Sequence, residues 1–326
     1  MSEQKQAYCV KCREKRVIRD ATPVYTSTGT PGTRGTCPEC GTTLFRMGAT
    51  PAHEGLPKPE VVQKPARKKS APAKKAKKQK SAAGKRAMRK SGRPVALVPL
   101  GAGLHAGHIA LVRAARRLPR GVVVVAWAGE EIPGDFAAEG VDAVFRYDQD
   151  SLWPRGLRTL VQPVDLDLEP VGDVARRLTL ELTLINLVGP SDVVVGEKDY
   201  EQMRALQAAI TDLHLPVKLH GVPTVRMPDG LAVSLRNAGV EESARDQAMA
   251  LSAALTAGAH AAEHGAAAVL EVARSVLDTA GVAVDYLELR GLDLGDAPET
   301  GDARLLLSAD VGGVRLIDNV GLPLGI

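Results

Sequence analysis

The chain has 326 residues, of which 25% are charged and 3% are aromatic, and its formal net charge is +4. Single hydrophobic cores stop growing at roughly 250–300 residues, so this length predicts more than one domain. No run of about 18 apolar residues occurs, and the N-terminal residues lack the apolar stretch of a signal peptide. The composition therefore predicts no membrane span and a cytoplasmic location, and cysteines confined to the first 40 residues argue against a disulfide-stapled secreted protein.

Positive charge is concentrated in one segment of the chain. Residues 64–93 contain 14 lysines and arginines and no acidic residue, whereas residues 94–326 contain 19 basic and 32 acidic residues. The basic segment also has no aromatic residue and too little apolar surface for a core, which predicts a disordered linker over residues 51–93. Residues 1–93 could hold nucleic acid non-specifically through its phosphates, or the linker could be only a solvated tether.

Residues 1–50 contain two Cys-x-x-Cys pairs. Cys9 and Cys12 form the first pair, and Cys37 and Cys40 form the second. Four thiolates can bind one Zn²⁺ tetrahedrally at about 2.3 Å, and so small a module needs the metal because its core is thin. The spacing therefore predicts a zinc ribbon with a structural Zn²⁺; a redox dithiol and a pair of disulfides are the alternatives.

From Pro94 onward the sequence changes to apolar runs separated by amphipathic stretches. Strands that lack polar alternation and alternate with helices are typical of a parallel sheet covered on both faces. This pattern predicts a Rossmann-like α/β domain over residues 94–225. The predicted strands are 95–99, 122–127, 142–146, 192–195 and 217–222, and the predicted helices are 107–118, 173–187 and 199–213.

Residues 226–326 are expected to form a smaller α+β domain that covers the first as a lid. The segment begins with a hairpin signal at Asp229-Gly230. Its predicted helices are 241–264 and 266–279, and its predicted strands are 282–289, 303–310 and 313–319.

The tetrapeptide His105-Ala106-Gly107-His108 lies where the first predicted strand gives way to the first helix. Ligands of open parallel sheets bind at the carboxyl ends of strands, where helix N-termini direct amide groups outward. Gly103 and Gly107 allow phosphate to approach the backbone, while His105 and His108 can donate hydrogen bonds to a transferring phosphoryl group. The sequence thus predicts a nucleotide triphosphate site; helix capping and a metal-binding histidine pair are the alternatives.

Two further clusters are expected to lie beside this site. Gly196, Lys198 and Asp199 follow another predicted strand, where Lys198 can neutralise developing negative charge and Asp199 can cap a helix or accept a ribose hydroxyl. Ser234 and Arg236 follow the hairpin signal and can reach phosphates from the smaller domain. A surface Lys–Asp pair and a solvated loop are the respective alternatives.

With these three clusters in this order, the sequence resembles the pantoate–β-alanine ligase family of the histidine-signature nucleotidylyltransferases. The resemblance covers nearly all of residues 94–326 and implies an ATP-dependent, AMP-forming ligase that acts with Mg²⁺ on pantoate and β-alanine. It also implies a homodimer. The matching segments are VPLGAGLHAGH, WPRGLRTLVQP, GEKDYEQM, VPTVRMPDGLAVSLRN, VDYLELR and RLIDN.

The resemblance implies a role for each matching residue. The residues expected to act on the phosphates and the transition state are His105, His108, Lys198 and Arg236. The residues expected to bind ATP are Gly103, Gly107, Gly196, Asp199, Val225 and Ser234, with Gln202 binding pantoate.

The chain departs from the family pattern where pantoate is expected to bind. The family follows its second strand with an Asn-Pro-x-Gln-Phe loop whose Asn and Gln hold pantoate, but here residues 128–133 are Ala-Gly-Glu-Glu-Ile-Pro. An Arg-Pro-x-His-Phe-x-Gly segment is also missing before Val174. Two other hypotheses follow: a repurposed nucleotide-binding paralogue tethered to nucleic acid, and an adenylating enzyme for another small acid.

Overall fold

A computed structural model describes residues 6–25, 30–56 and 92–325. The chain divides into two compact units, residues 1–78 and residues 79–326. Most of the predicted basic linker, residues 57–91, lies outside the described residues. Within the described ranges, no helix combines the length and apolar character needed to cross a membrane.

The N-terminal unit is a small antiparallel β structure. Strands β1 and β2 form a hairpin, and β3, β4 and β5 form a three-stranded sheet in that order. Among the described residues, its apolar core consists of Ala7, Ile18 and Leu44 besides Cys9 and Cys37, so the cysteines make up much of it. The strands are β1 (Gln6–Cys9), β2 (Glu14–Val17), β3 (Arg19–Tyr25), β4 (Pro31–Thr36) and β5 (Thr43–Met47).

A short turn follows the strands of the N-terminal unit. A 3₁₀ turn, Pro51–His53, places the His53 ring in the interior at 5% exposure. There His53 Nε2 donates to the carbonyl oxygen of Gly32 at 2.9 Å. A buried imidazole needs such a partner, and this contact ties the turn to β4.

The second unit contains the predicted Rossmann-like parallel sheet. Five strands pair in the order β10-β9-β6-β7-β8, and all four neighbouring pairs are parallel. The connections run outward in opposite directions from β6 and β9, so a topological switch point lies between these two strands. The strands are β6 (Val95–Leu100), β7 (Val122–Trp127), β8 (Ala143–Arg146), β9 (Asp192–Gly196) and β10 (Lys218–Val222).

Helices cover both faces of this sheet, as the unbroken apolar strands predict. Ala96 and Val98 of β6 pack with α1 on one face, while Val95 and Leu97 pack with α4 and α5 on the other. This alternation explains why no polar residue interrupts the strand. The helices are α1 (Ala106–Arg116), α2 (Gly134–Ala138), α3 (Gln149–Leu152), α4 (Val171–Val188) and α5 (Tyr200–Asp212).

The predicted smaller α+β domain is also present. Its antiparallel sheet has the order β11-β12-β13 and packs against two helices through a continuous apolar core. The Asp229-Gly230 turn is closed by an isolated bridge between Arg226 and Ala232. The elements are α6 (Arg245–His260), α7 (Ala266–Thr279), β11 (Ala283–Gly291), β12 (Gly301–Val311) and β13 (Val314–Leu324), with 3₁₀ turns at Leu235–Gly239, Glu242–Ala244 and Ala262–His264.

Candidate active site

A crevice opens at the carboxyl edge of the parallel sheet, beside the switch point. Its walls come from the segments that follow β6, β9 and β10, from α4 and from the smaller domain. The sequence-predicted residues that line it are His105, Gly107, His108, Gly196, Lys198, Asp199, Val225, Ser234 and Arg236.

Two stacked imidazoles form one wall of the crevice. The ring centroids of His105 and His108 lie 3.7 Å apart at an interplanar angle of 22°. Burial lowers the pKa of both rings, and for His108 the neighbouring His105 and Arg177 add to this, giving a pKa of about 4. Both Nδ1 atoms are buried without a hydrogen-bond partner among the described residues. A buried polar atom without a protein partner calls for an explanation, such as an ordered water or a bound ligand.

Gly107 is required by the position of the His105 ring. A Cβ atom at residue 107 would lie 2.8 Å from His105 Cε1 and 2.9 Å from His105 Nδ1. A side chain there would push the imidazole away from its neighbour. The glycine is thus explained by close packing of the histidines as well as by helix geometry.

Gly103 serves the site indirectly. Its φ of +88° lies in the left-handed region, and an added Cβ would lie 2.7 Å from Leu235 Cδ1. Gly103 is not among the described residues that line the crevice. It instead lets the loop after β6 pass beneath the 3₁₀ turn of the smaller domain.

Lys198 and Asp199 enter the crevice between β9 and α5. Burial lowers the pKa of Lys198. Burial opposes ionisation of Asp199, but the adjacent Arg177 and Lys198 outweigh it and lower the Asp199 pKa to about 2. Asp199 is the residue preceding α5 and makes no side-chain cap hydrogen bond, so its carboxylate is directed to these cations and not to the helix.

The smaller domain holds the Lys198 backbone in place. Asn319 Nδ2 donates to the carbonyl oxygens of Glu197 and Lys198, both at 2.9 Å. Asn319 Oδ1 accepts from Arg304 Nη1 at 2.6 Å, and Arg304 Nη2 donates to Glu197 Oε2 at 3.1 Å. The sequence signalled Asn319 only as part of the RLIDN segment, because 121 residues separate it from Lys198.

Ser234, Arg236 and Val225 close the opposite side of the crevice. Ser234 precedes the 3₁₀ turn, and its Oγ accepts from the Arg236 backbone N–H at 3.2 Å. The carbonyl oxygen of Val225 accepts from the Val233 N–H at 2.9 Å, which joins the two segments. The predicted third cluster therefore reaches the same cavity as the first two.

Arg177 and Glu181 also line the crevice, although the sequence pattern predicted no role for them. Arg177 forms ion pairs with Asp199 and with Glu181, its Nε lying 3.3 Å from Glu181 Oε1. Gln202, the predicted pantoate ligand, donates from Nε2 to Glu181 Oε2 at 2.8 Å. Gln202 lines a second cavity, whose wall shares Arg177, Lys198, Asp199 and Arg236 with the first.

The shortened segment after β7 does not reach this site. Trp127 is 3% exposed and donates from Nε1 to the Glu131 carbonyl oxygen at 2.7 Å, so the chain turns back at once. The Trp127 ring packs edge-on against Phe136 at 5.3 Å. Within the described range 92–325, none of residues 128–140 lines the crevice. The structure thus agrees with the sequence in lacking the expected loop there.

The four cysteines of the ribbon come together. Their sulfur atoms all lie within 4.8 Å of one another, with Cys9 and Cys40 at 3.4 Å and Cys12 and Cys37 at 3.9 Å. Four sulfurs at about 2.3 Å around one tetrahedral ion would be about 3.8 Å apart. Each Cys-x-x-Cys turn is followed by a positive φ, +59° at Arg13 and +69° at Gly41. The donor set therefore fits a Zn²⁺ ion.

The fold and crevice place the second unit among α/β proteins of the nucleotidylyltransferase type. A family model described as pantoate-beta-alanine ligase matches residues 73–128 and 135–321, and one described as a domain of unknown function (DUF5679) matches residues 8–47. The chain belongs to the pantoate–β-alanine ligase family. The interruption at residues 129–134 coincides with the turn closed by Trp127.

Relatives and solved structures agree with this assignment. The pantothenate synthetase of Corynebacterium jeikeium is 47% identical over 264 residues, covering 74% of this chain and 86% of that protein. That of Mycobacterium avium is 45% identical over 263 residues, covering 73% and 85%. The crystal structure of pantothenate synthetase from Thermus thermophilus matches with a TM-score of 0.62 and 31% identity, covering 70% of this chain and 92% of that one. A Francisella tularensis ligase, complexed with β-γ ATP and β-alanine, shares the fold, with a TM-score of 0.56, 22% identity, and coverage of 72% and 94%.

Proposed function

We propose that this chain is an ATP-dependent ligase that joins pantoate to β-alanine and releases AMP and pyrophosphate. One observation carries the proposal. The stacked His105 and His108 share a crevice with Lys198 and Arg236 in a chain that belongs to the pantoate–β-alanine ligase family. Such a cluster of donors and cations suits the triphosphate of ATP.

The proposed reaction has two steps. A pantoate carboxylate oxygen bonds to the α-phosphorus of ATP, and the bond from that phosphorus to the bridging oxygen breaks as pyrophosphate leaves with the electron pair. The β-alanine amine then attacks the acyl carbon of the adenylate, loses a proton, and displaces AMP. Each step places extra negative charge on phosphate oxygens, which His105, His108, Lys198 and Arg236 would stabilise.

The remaining residues of the crevice would position the nucleotide. In this proposal, the loop shaped by Gly103 and Gly107 admits the phosphates and Ser234 closes over them. Gly196 and Asp199 hold the ribose, and the Val225 backbone contacts adenine. Asp199 already pairs with Arg177, so the ribose would take its remaining acceptor sites.

Mg²⁺ would enter with the triphosphate. Asp199 and Glu181, two acidic side chains of the crevice, are both paired with Arg177. Mg²⁺ commonly keeps several waters and is bound mainly by phosphate oxygens. We therefore propose that the ion is carried by ATP and that Asp199 and Glu181 do not form a cage for it.

The ligase proposal is tested by product formation. Purified chain with ATP, Mg²⁺, pantoate and β-alanine should yield pantothenate and AMP in equal amounts by mass spectrometry, and its gene should rescue a pantothenate auxotroph. AMP release that depends on another acid but not on pantoate would favour the other-acid hypothesis. Absence of any acid-dependent AMP at high enzyme concentration would contradict both.

We also propose that the ligase unit is a homodimer in the cytoplasm, with residues 94–225 as the ATP-binding domain and residues 226–326 as a lid. The dimer rests on the family resemblance. Light scattering should give about twice the 34.4 kDa of one chain. A monomeric mass at micromolar concentration would contradict the dimer.

A second candidate function is non-specific binding of single-stranded nucleic acid by residues 1–93. Two exposed ribbon aromatics favour it, Tyr8 at 57% and Phe45 at 41% exposure. Each stands directly across a strand pair from an exposed cation, Tyr8 opposite Lys15 and Phe45 opposite Arg34. Aromatic faces can stack on bases while neighbouring cations contact the phosphates. The basic segment, residues 64–93, has no aromatic residue and so cannot stack on bases.

Fluorescence anisotropy with a single-stranded oligonucleotide tests this candidate. The double variant Tyr8→Ala/Phe45→Ala should bind at least about 10-fold more weakly, since base stacking contributes about 1–3 kcal/mol per base. Val10→Ala, which alters another exposed apolar side chain of the ribbon, is the control and should bind like the unmodified chain. Equal affinity of the double variant and the control would contradict stacking by these rings.

A further inference from the structure

Two charged residues on one face of α4 line the crevice. Arg177 and Glu181 are spaced i, i+4 and lie on the same face of the helix. Arg177 lines both the first and the second cavity, and so marks the junction between them. The nucleotide residues proposed above lie mainly around the first cavity, whereas Gln202 lies in the wall of the second.

The Arg177 guanidinium is held on two sides. Its Nη1 donates to Asp199 and its Nε donates to Glu181 Oε1 at 3.3 Å. Glu181 is 5% exposed, and its other oxygen accepts from Gln202, which is 7% exposed. A buried carboxylate with partners on both oxygens is a rigid support. The Arg177 side chain is itself 51% exposed, and no hydrogen bond of Nη2 is seen among the described residues.

This arrangement leaves a preoriented cation where an acid substrate would have to bind. The loop after β7 contributes no residue to the crevice in the described range 92–325, so the acid must find partners elsewhere. A planar guanidinium matches a carboxylate in charge and hydrogen-bond geometry. A carboxylate approaching the triphosphate is also repelled by it, and a cation at the junction offsets that repulsion.

We propose that Arg177 binds the carboxylate of the acid substrate at the junction of the two cavities, and that Glu181 and Gln202 position it. This inference rests on the proposed ligase function. Arg177 Nη2 donates to one carboxylate oxygen, and the other oxygen is left free to bond to the α-phosphorus. Gln202 is then a positioning residue that acts through Glu181, in place of the direct pantoate contact expected from the family resemblance.

The test is a comparison of Michaelis constants for acid and for ATP by pyrophosphate exchange. Arg177→Gln should raise the KM for pantoate about 10- to 100-fold, as expected for loss of a hydrogen bond to a charged group, and raise the KM for ATP by a smaller factor, since Asp199 keeps Lys198 as a partner. Arg177→Lys should restore part of the affinity because it keeps the charge without the fork. Arg176→Gln is the matched control, since Arg176 is exposed on the same helix and does not line either cavity.

Two further variants separate binding from folding and positioning. Arg177→Gln combined with Glu181→Gln avoids leaving an unpaired buried carboxylate, and should show the same loss of pantoate affinity with a melting temperature near that of the unmodified chain. Gln202→Ala alone, with Arg177 intact, should raise the KM for pantoate. Added to Arg177→Gln, it should have little further effect on that KM. A rise confined to the KM for ATP, or an unchanged KM for pantoate, would overturn the proposal.

Failure of the ligase function itself is recognised separately. If the unmodified chain exchanges pyrophosphate with another carboxylic acid but not with pantoate, the pantoate assignment fails, and the Arg177 variants are compared on that acid. If no acid supports exchange, calorimetry with pantoate and a non-hydrolysable ATP analogue decides. ATP binding with no detectable acid binding would overturn the role of Arg177, whereas Arg177-dependent acid binding would uphold it.

Discussion

Burial favours the neutral form of the two stacked histidines, since it lowers the pKa of both rings. Rings with centroids 3.7 Å apart cannot both carry charge without strong repulsion, and burial penalises each charged form further. A neutral imidazole still donates one N–H to an anion. The stacked pair at the crevice wall is therefore suited to a ligand that supplies oxygen acceptors.

Protonation of His108 should lower the stability of the folded chain in acid. Its folded-state pKa of about 4 lies below the ordinary value of 6.5, so the unfolded chain binds more protons between these values. Stability from this group is complete above about pH 6.5 and declines as the pH falls toward 4. The melting temperature of the unmodified chain should thus fall more steeply over that window than that of His108→Gln.

In exchange assays His108→Gln should lose about 10²- to 10³-fold in rate, as for removal of one transition-state donor.

Calorimetry of both proteins at a series of pH values checks the predicted difference in melting temperature. Coincident slopes between pH 6.5 and pH 4 would show that His108 protonates normally in the folded chain. An exchange rate within about 3-fold of the unmodified chain would contradict a role in the transition state.

Individual residues differed in how far the sequence revealed them. His105, His108 and Lys198 follow apolar strands, and the carboxyl ends of parallel strands lie at one edge of a sheet, so the sequence predicts that these residues lie together. Arg177 and Glu181 gave no such signal, because an i, i+4 Arg–Glu pair on a helix is usually a solvated surface pair. Only the packing of α4 against α5 shows that this face borders a cavity.

At the scale of elements, the loop after β6 depends on its contact with the smaller domain. Gly103 and Leu235 belong to segments 132 residues apart, and the backbone of Gly103 passes close under the leucine side chain. The Leu235 side chain is 49% exposed and can yield, but the φ of +88° cannot be adopted freely by another residue. The backbone conformation is therefore the stricter constraint.

Gly103→Ala should reduce the free energy of unfolding by about 1–2 kcal/mol, the cost of a left-handed conformation for a residue with a Cβ atom. The KM for ATP should rise with it, because the loop leads directly into His105. Gly172→Ala is the matched control: nothing lies within 4 Å of the added Cβ, and alanine favours the first turn of α4. Urea titrations of both variants measure the difference. Equal midpoints for Gly103→Ala and Gly172→Ala would show that the loop can relax.

Element types followed from the sequence more closely than contacts between elements did. Continuous apolar runs such as Val122–Trp127 have no polar alternation, and their burial on both faces follows from that pattern. The sequence did not predict the hydrogen bond from Asn319 to the Lys198 carbonyl oxygen, because that contact depends on how β13 approaches β9. Register between distant elements is set by packing and not by local periodicity.

At the scale of the whole molecule, the chain joins two units that are stabilised in different ways. The ligase unit has continuous apolar cores on both faces of its parallel sheet and within the smaller domain. Among the described residues, the apolar core of the ribbon consists of Ala7, Ile18 and Leu44 apart from its cysteines. A core of this size cannot offset the conformational entropy of about fifty residues without a metal or cross-links.

Zinc removal should therefore unfold the ribbon and leave the ligase unit folded. Binding of structural Zn²⁺ is worth roughly 10–16 kcal/mol in zinc-finger peptides, far more than this core can supply. Cys37→Ser, or a chelator at pH 7, should abolish amide-exchange protection over residues 6–25 and 30–56, while protection of the parallel sheet and the rate of AMP release stay within about 2-fold. The unmodified chain should contain one zinc per chain by metal analysis. Thr36→Ser, adjacent to the ligand but outside the sulfur cluster, is the control and should retain both metal and protection. Persistent protection of the ribbon after complete zinc loss would instead favour disulfides among the four cysteines, and a reductant would then remove it.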